Sequence, residues 1–112
     1  MKILLLEDDT MLAELLLEHL REKGHSVYHF IDGEEAETSL LSSKYDLLLL
    51  DVNVPGISGF ELLEAMRARK DMTPAIMITS RNSSSDLKEG FELGCDDYIR
   101  RPFDFEELDA RI

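Results

Sequence analysis

An apolar run at the start of the chain ends on three consecutive acids, Glu7, Asp8 and Asp9, and a second run, LLLL, ends on Asp51, Val52 and Asn53. Carboxylates held close together raise one another's pKa values and repel, and a small divalent cation removes that cost by supplying opposite charge. The candidate ligands are all hard oxygens, with neither Cys nor His in the set. That chemistry favours Mg²⁺, or alternatively Mn²⁺, over zinc, and leaves coordination positions for water and phosphate. For the acidic triplet alone, a solvated strand end is an equally good account; the pairing with Asp51 decides for the metal. An Asp beside a metal can act as a nucleophile toward phosphorus, and the extra charge of the resulting acyl phosphate calls for a hydroxyl donor and a cation. Thr79 and Arg101, which close two further runs, are the candidates for those roles. Taken singly, Thr79 is an ordinary β-branched strand residue and Arg101 an ordinary surface cation.

These residues can cooperate only if the fold gathers them. Apolar runs at Ile3–Leu6, Val27–Ile31, Leu47–Leu50, Ala75–Ile78 and Tyr98–Ile99 predict five strands. The runs ILLL, LLLL and AIMI do not alternate apolar with polar residues, as expected for a parallel sheet covered on both faces; the second and fifth strands read as edges. Between the strands lie amphipathic stretches. The clearest carries Leu12, Leu15, Leu16, His19 and Leu20 on one face and ends at Gly24. Others run from about Gly33 to Ser42, Gly59 to Arg69, Ser84 to Leu93 and Asp104 to Ile112, with Asn82 to Ser85 a polar lead into the fourth helix. Strict βα alternation predicts an α/β, flavodoxin-like, doubly wound five-stranded parallel sheet with strand order 2-1-3-4-5 and five helices. In such sheets ligands bind beyond the carboxyl ends of the strands where strand order reverses, here between the first and third strands. That rule places Glu7, Asp8, Asp9, Asp51, Thr79, Ser80, Arg100 and Arg101 on one rim.

Composition narrows the classes. The chain has 112 residues, 44% of them hydrophobic, enough for a single domain spanning 1–112. A formal charge of −12 opposes binding to nucleic acid by this chain alone. The single Cys95 cannot form an internal disulfide. There is no apolar run of membrane-spanning length and the start is unlike a secretory leader, so a cytoplasmic location is expected. EDDT follows the first strand where a nucleotide fold would place a glycine-rich loop. His19, His25 and His29 lack a metal-ligand spacing and are assigned no chemistry. No Gly or Pro follows Arg111, so the chain reads as a piece excised from a longer protein.

The ordered set LLLEDD, LLLLDVNVPGISG, IMITS and GCDDYIRRPF resembles the receiver domain of two-component response regulators over essentially the whole length. The resemblance implies that Glu7 and Asp8 are the metal-binding acidic pair, and that Asp51 accepts phosphate from a sensor histidine kinase. It also implies that the backbone carbonyl of Asn53 completes the metal ligands, with Asp9 a neighbour. By the same resemblance, Thr79 and Tyr98 form the switch, and Pro102 is the family proline after the fifth strand, often preceded by a cis bond. Three positions depart from the family pattern. Arg101 stands where Lys is usual, keeping charge but replacing an ammonium by a planar guanidinium; Ser80 replaces Ala; and Ser58 replaces Asp at a position where Ser is an acceptable helix cap.

The segment DDYIRRPFDFEELDARI most resembles regulators that carry a C-terminal winged-helix DNA-binding domain. The resemblance implies a homodimer through the fourth helix, fifth strand and fifth helix, with Lys88, Glu89, Asp96, Asp97, Glu107 and Arg111 as contacts, although Leu87 occupies a position often basic in that class. DNA would be bound only through the additional domain. The implied activity is regulatory: a domain that catalyses its own phosphorylation and dephosphorylation rather than an enzyme with a separate substrate. One alternative is a phosphate-independent pseudo-receiver that keeps only the dimerisation role. Another is an aspartyl-phosphate phosphohydrolase of the haloacid-dehalogenase type. Asn53 weakens the latter, because an amide cannot exchange a proton where that family needs a second carboxylate.

Overall fold

A computed structural model describes the backbone of residues 1–79 and 84–112 and the side chains of residues 1–78 and 87–112. Its elements follow one another as β1 (Lys2–Leu6), α1 (Thr10–Glu22), β2 (Ser26–Phe30), α2 (Gly33–Ser42), β3 (Leu47–Leu50), α3 (Gly59–Ala68), β4 (Ala75–Thr79), α4 (Ser84–Leu93), β5 (Asp97–Arg100) and α5 (Phe105–Arg111). The strands form one parallel sheet in the order β2-β1-β3-β4-β5, the flavodoxin-like arrangement expected from the βα alternation. Expected and observed boundaries differ little. β2 lies one residue earlier than its apolar run, leaving Ile31 beyond the strand and half exposed, and β5 gains a polar residue at each end.

Residue parity along the strands divides the core into two layers. Leu4, Leu6, Leu48, Leu50, Ala75, Met77 and Tyr98 face α2, α3 and the described part of α4, packing with Ala36, Leu40, Phe60, Leu62, Leu63 and Met66. Ile3, Leu5, Val27, Leu47, Leu49, Ile76, Ile78 and Ile99 face α1 and α5, packing with Ala13, Leu16, Leu20 and Leu108. All four residues of β3 are buried, which is why its sequence shows no alternation.

One expectation for α1 fails. Leu15, placed on the buried face by spacing, is 51% exposed, whereas Ala13, Leu16 and Leu20 are buried with Leu12 and Leu17 beside them. Successive helical residues are about 100° apart, so a sheet contact centred on Leu16 turns Leu15 to the flank. Consecutive leucines could not reveal which one takes the centre.

The helix ends follow local chemistry. Asp9, Asp32 and Asp104 cap α1, α2 and α5 by accepting backbone N–H groups, and Ser58 forms a reciprocal capping box with Glu61 at the start of α3. Gly24, at φ +90°, closes α1: its N–H donates to Arg21 and that of His25 to Leu20, the paired bonds of a Schellman motif. Lys70 does the same after α3 at φ 66°.

Candidate functional site

Glu7 follows β1 with the parity of Ile3 and Leu5, Asp51 follows β3 with that of Leu47 and Leu49, and Arg101 follows β5 with that of Ile99. Alternation therefore directs all three side chains toward the α1 and α5 face, at the rim where strand order reverses. The ladder continues past the strands to hold them: the N–H of Asp51 donates to the carbonyl of Leu6 at 2.9 Å, and that of Glu7 to Phe30 at 3.0 Å.

Glu7 and Asp51 are each only 1% exposed, the two charged residues buried among the described ones, while Asp8 is exposed. A carboxylate oxygen from each of the three lies within 4.8 Å of the others. Burial, and then the charge of Asp51 and a hydrogen bond to it, push the Glu7 carboxyl up to about 8, although the N–H of Asp9 at 3.0 Å and Arg101 work against the shift. Asp51 Oδ1 accepts the N–H of Asn53 at 3.3 Å, and Oδ2 accepts Nη2 of Arg101 at 3.1 Å. Nη1 of Arg101 lies 3.7 Å from Glu7 and 3.8 Å from Asp9. This arrangement fits a hard divalent cation: the donors are close-set oxygens, and a buried carboxyl pushed so far above its ordinary range is short of positive charge.

The loop after β3, which carries Asn53, is docked by backbone contacts that need glycine. The N–H of Gly33 donates to Pro55 at 3.0 Å, and a Cβ on Gly33 would lie 1.9 Å from the carbonyl oxygen of Ile57. Gly56 takes φ +78°, with Asp32 against its open side. In the sequence these contacts leave no signal but the glycines themselves. His29, assigned no chemistry, was missed too: its Nε2 donates to the carbonyl of Glu7 at 2.7 Å and so fixes the end of β1.

The remaining candidates fall as follows. Thr79 ends β4, its backbone in register with Arg100; its side chain, Ser80 and the start of the Asn82–Ser85 lead lie outside the described residues. Tyr98 is 7% exposed and packs in the α2, α3 and α4 layer, where a Cβ on Gly90 would come within 3.3 Å of its ring. The Arg101–Pro102 bond is cis. Several charges on α4, β5 and α5 are engaged within the chain among the described residues. Lys88 lies 3.8 Å from Glu92, Arg111 is 2.9 Å from Asp97 and 3.7 Å from Glu107, and Asp96 accepts the N–H of Ala75 at 2.9 Å; Glu89 is exposed.

A doubly wound sheet with an acidic cluster at its reversal point defines a receiver-type α/β domain, and comparison with known proteins agrees. Residues 3–112 match the family described as the response regulator receiver domain, and the chain belongs to that family. It is 44% identical over 112 residues to the transcriptional regulatory protein RprY of Bacteroides fragilis, covering 100% of this chain and 48% of that protein. It is 43% identical over 114 residues to the transcriptional regulatory protein CrdR of Helicobacter pylori, covering 99% and 53%. The chain thus spans about half the length of the curated relatives it matches. Among solved structures, the receiver domain of the Francisella response regulator 1452 superposes with a TM-score of 0.94 at 31% identity, covering 98% of this chain and 91% of that one. The BeF3-activated N-terminal receiver domain of Klebsiella pneumoniae RstA gives 0.92 at 31% identity, covering 99% and 94%. No described helix is long and apolar enough to cross a membrane.

Proposed function

We propose that Asp51 is the phosphoacceptor of this receiver domain, taking the phosphoryl group from a phosphohistidine of a sensor histidine kinase. An oxygen of Asp51 attacks phosphorus in line, the P–N bond breaks and the imidazole leaves; water later cleaves the acyl phosphate. The observation that carries this reading is the cluster of Glu7, Asp8 and Asp51 within 4.8 Å at the reversal point of the sheet. Glu7, Asp8, Asp51 and the backbone carbonyl of Asn53 are the groups that would hold Mg²⁺, or Mn²⁺ in its place. Bound there, the ion supplies positive charge that offsets the negative charge of the transferred group. Arg101 adds a second cation beside Asp51, and Thr79 supplies a hydroxyl donor. The domain in this reading catalyses its own phosphorylation and dephosphorylation and has no separate substrate.

Thr79 and Tyr98 then bias a two-state equilibrium whose output is association through α4, β5 and α5. Lys88, Glu89, Asp96, Asp97, Glu107 and Arg111 are the proposed contacts, formed by exchanging bonds within the chain for bonds across the dimer. The relatives are about twice as long and are named transcriptional regulators, which supports a cytoplasmic protein in which residues 1–112 precede a DNA-binding output domain. The contact between Arg101 and Asp51 supports a second reading, a pseudo-receiver whose acceptor stays neutralised. Incubation with Mg²⁺ and a small phosphodonor, followed by intact mass measurement, separates the two. Gain of one phosphoryl group by wild type but not by Asp51→Asn establishes the acceptor; no adduct, even with the cognate kinase, establishes the pseudo-receiver.

A further inference from the structure

We propose that Arg101 is a tethered counter-ion that competes with the divalent cation for the Asp51 carboxylate and sets how tightly this chain binds metal. The inference rests on the metal site described above and goes beyond it, because it gives Arg101 a role before any phosphate arrives.

Three observations carry it. First, the two terminal nitrogens of the guanidinium span the cluster, with Nη2 3.1 Å from Asp51 and Nη1 3.7 Å from Glu7 and 3.8 Å from Asp9. A lysine ammonium is a single point of charge and would neutralise one carboxylate well; the planar fork reaches several. Second, both oxygens of Asp51 are occupied, Oδ1 by the N–H of Asn53 and Oδ2 by Arg101. A cation that takes the Oδ2 side must displace a charge-assisted hydrogen bond and then sit beside a like charge. Third, Nε of Arg101 is buried and has no hydrogen-bond partner among the described residues. Leaving a buried donor unpaired is costly, so the far end of the side chain sets its pose: attraction to the acidic cluster outweighs satisfaction of the stem.

The consequence is a site that is neutralised in two alternative ways, by the guanidinium or by the metal with the guanidinium turned aside. Calorimetric titration of the folded protein with MgCl₂, comparing wild type, Arg101→Lys, Arg101→Met and Asp51→Asn, tests this without phosphotransfer. Mg²⁺ affinity should rise by roughly tenfold in Arg101→Lys, the scale of one displaced charge-assisted hydrogen bond, and by at least as much in Arg101→Met. Affinities of Arg101→Lys within about twofold of wild type, or weaker, overturn the proposal. Should Arg101→Met fail to fold without its cation, Arg101→Lys, which keeps the charge, decides alone. Asp51→Asn separates the two levels. Wild-type Mg²⁺ binding in that variant puts the ion elsewhere and removes the metal site itself, whereas loss of binding there with equal affinities at position 101 removes only the competition.

Discussion

Gly59, the first residue of α3, is packed against the backbone of Asp51. A Cβ on Gly59 would lie 2.3 Å from the Asp51 carbonyl oxygen, and the Gly59 N–H donates to Val52 at 3.1 Å. The close approach locks the start of α3 onto the strand end that presents the Asp51 carboxylate. Gly59→Ala should therefore displace that strand end, lowering stability by about 1–3 kcal/mol, the usual range for overpacking a close contact. Mg²⁺ affinity should fall with it. Chemical denaturation and metal titration of the variant check both effects, and an unperturbed variant would show that the contact relaxes at no cost.

The Glu7 carboxyl gives the metal-free protein a pH dependence with a definite sign. Its folded pKa, about 8, lies above its ordinary value of 4.5. Between those values the native state keeps a proton that the unfolded chain releases, so stability falls as pH rises through the window. Melting temperatures in chelator should be higher near pH 5 than near pH 8, and Glu7→Gln should flatten the slope. Saturating Mg²⁺ should offset the loss at the upper end, since a cation stabilises the ionised cluster. A melting temperature that rises across this window in wild type but not in Glu7→Gln contradicts the burial of that carboxyl.

Much of this site was legible in the residues because parallel strands simplify the problem. Apolar runs such as LLLL mark strands buried on both faces, and acids placed just after them fall at the rim by topology alone. What escaped was whatever depended on the depth of a side chain or on a backbone partner. Leu15 and Leu16 are chemically identical, and only the docking of α1 on the sheet separates them. His29 reaches the carbonyl of Glu7, an atom every residue possesses. The glycines at 33 and 56 serve a loop packed on α2, a contact between segments far apart in sequence. Arg101 is legible as a cation near Asp51, but its reach to both Asp51 and Glu7 depends on how β5 packs beside the rim.

Cys95 should be inert in the folded protein. It is 7% exposed, and burial, followed by the charges of Asp96 and Asp97, pushes its thiol up to about 11. The thiolate that reacts is scarce at neutral pH, so alkylation should track the unfolded fraction and accelerate sharply in denaturant. Equal labelling rates in native buffer and in denaturant would contradict that environment.

Lys70 adopts φ 66° in the turn that ends α3, where glycine is the favoured residue. Lys70→Gly removes a left-handed strain of about 1 kcal/mol or more, partly offset by the greater freedom of glycine in the unfolded chain. A net stabilisation of a few tenths to about 1 kcal/mol is expected by denaturant titration, with Mg²⁺ binding unchanged. Destabilisation would show that the lysine side chain contributes packing that outweighs its strain.

Glu7, Asp8 and Asp51 are proposed to hold one divalent ion jointly at the rim of the sheet. A crystal of this domain grown with Mn²⁺ and measured at a wavelength where manganese scatters anomalously locates that ion directly. A single strong peak is expected at the rim between β1 and β3, with carboxylate oxygens of Asp8 and Asp51 coordinating it directly and Glu7 in the ligand network. No peak there at saturating Mn²⁺, or a peak touching neither Asp8 nor Asp51, would contradict that joint hold.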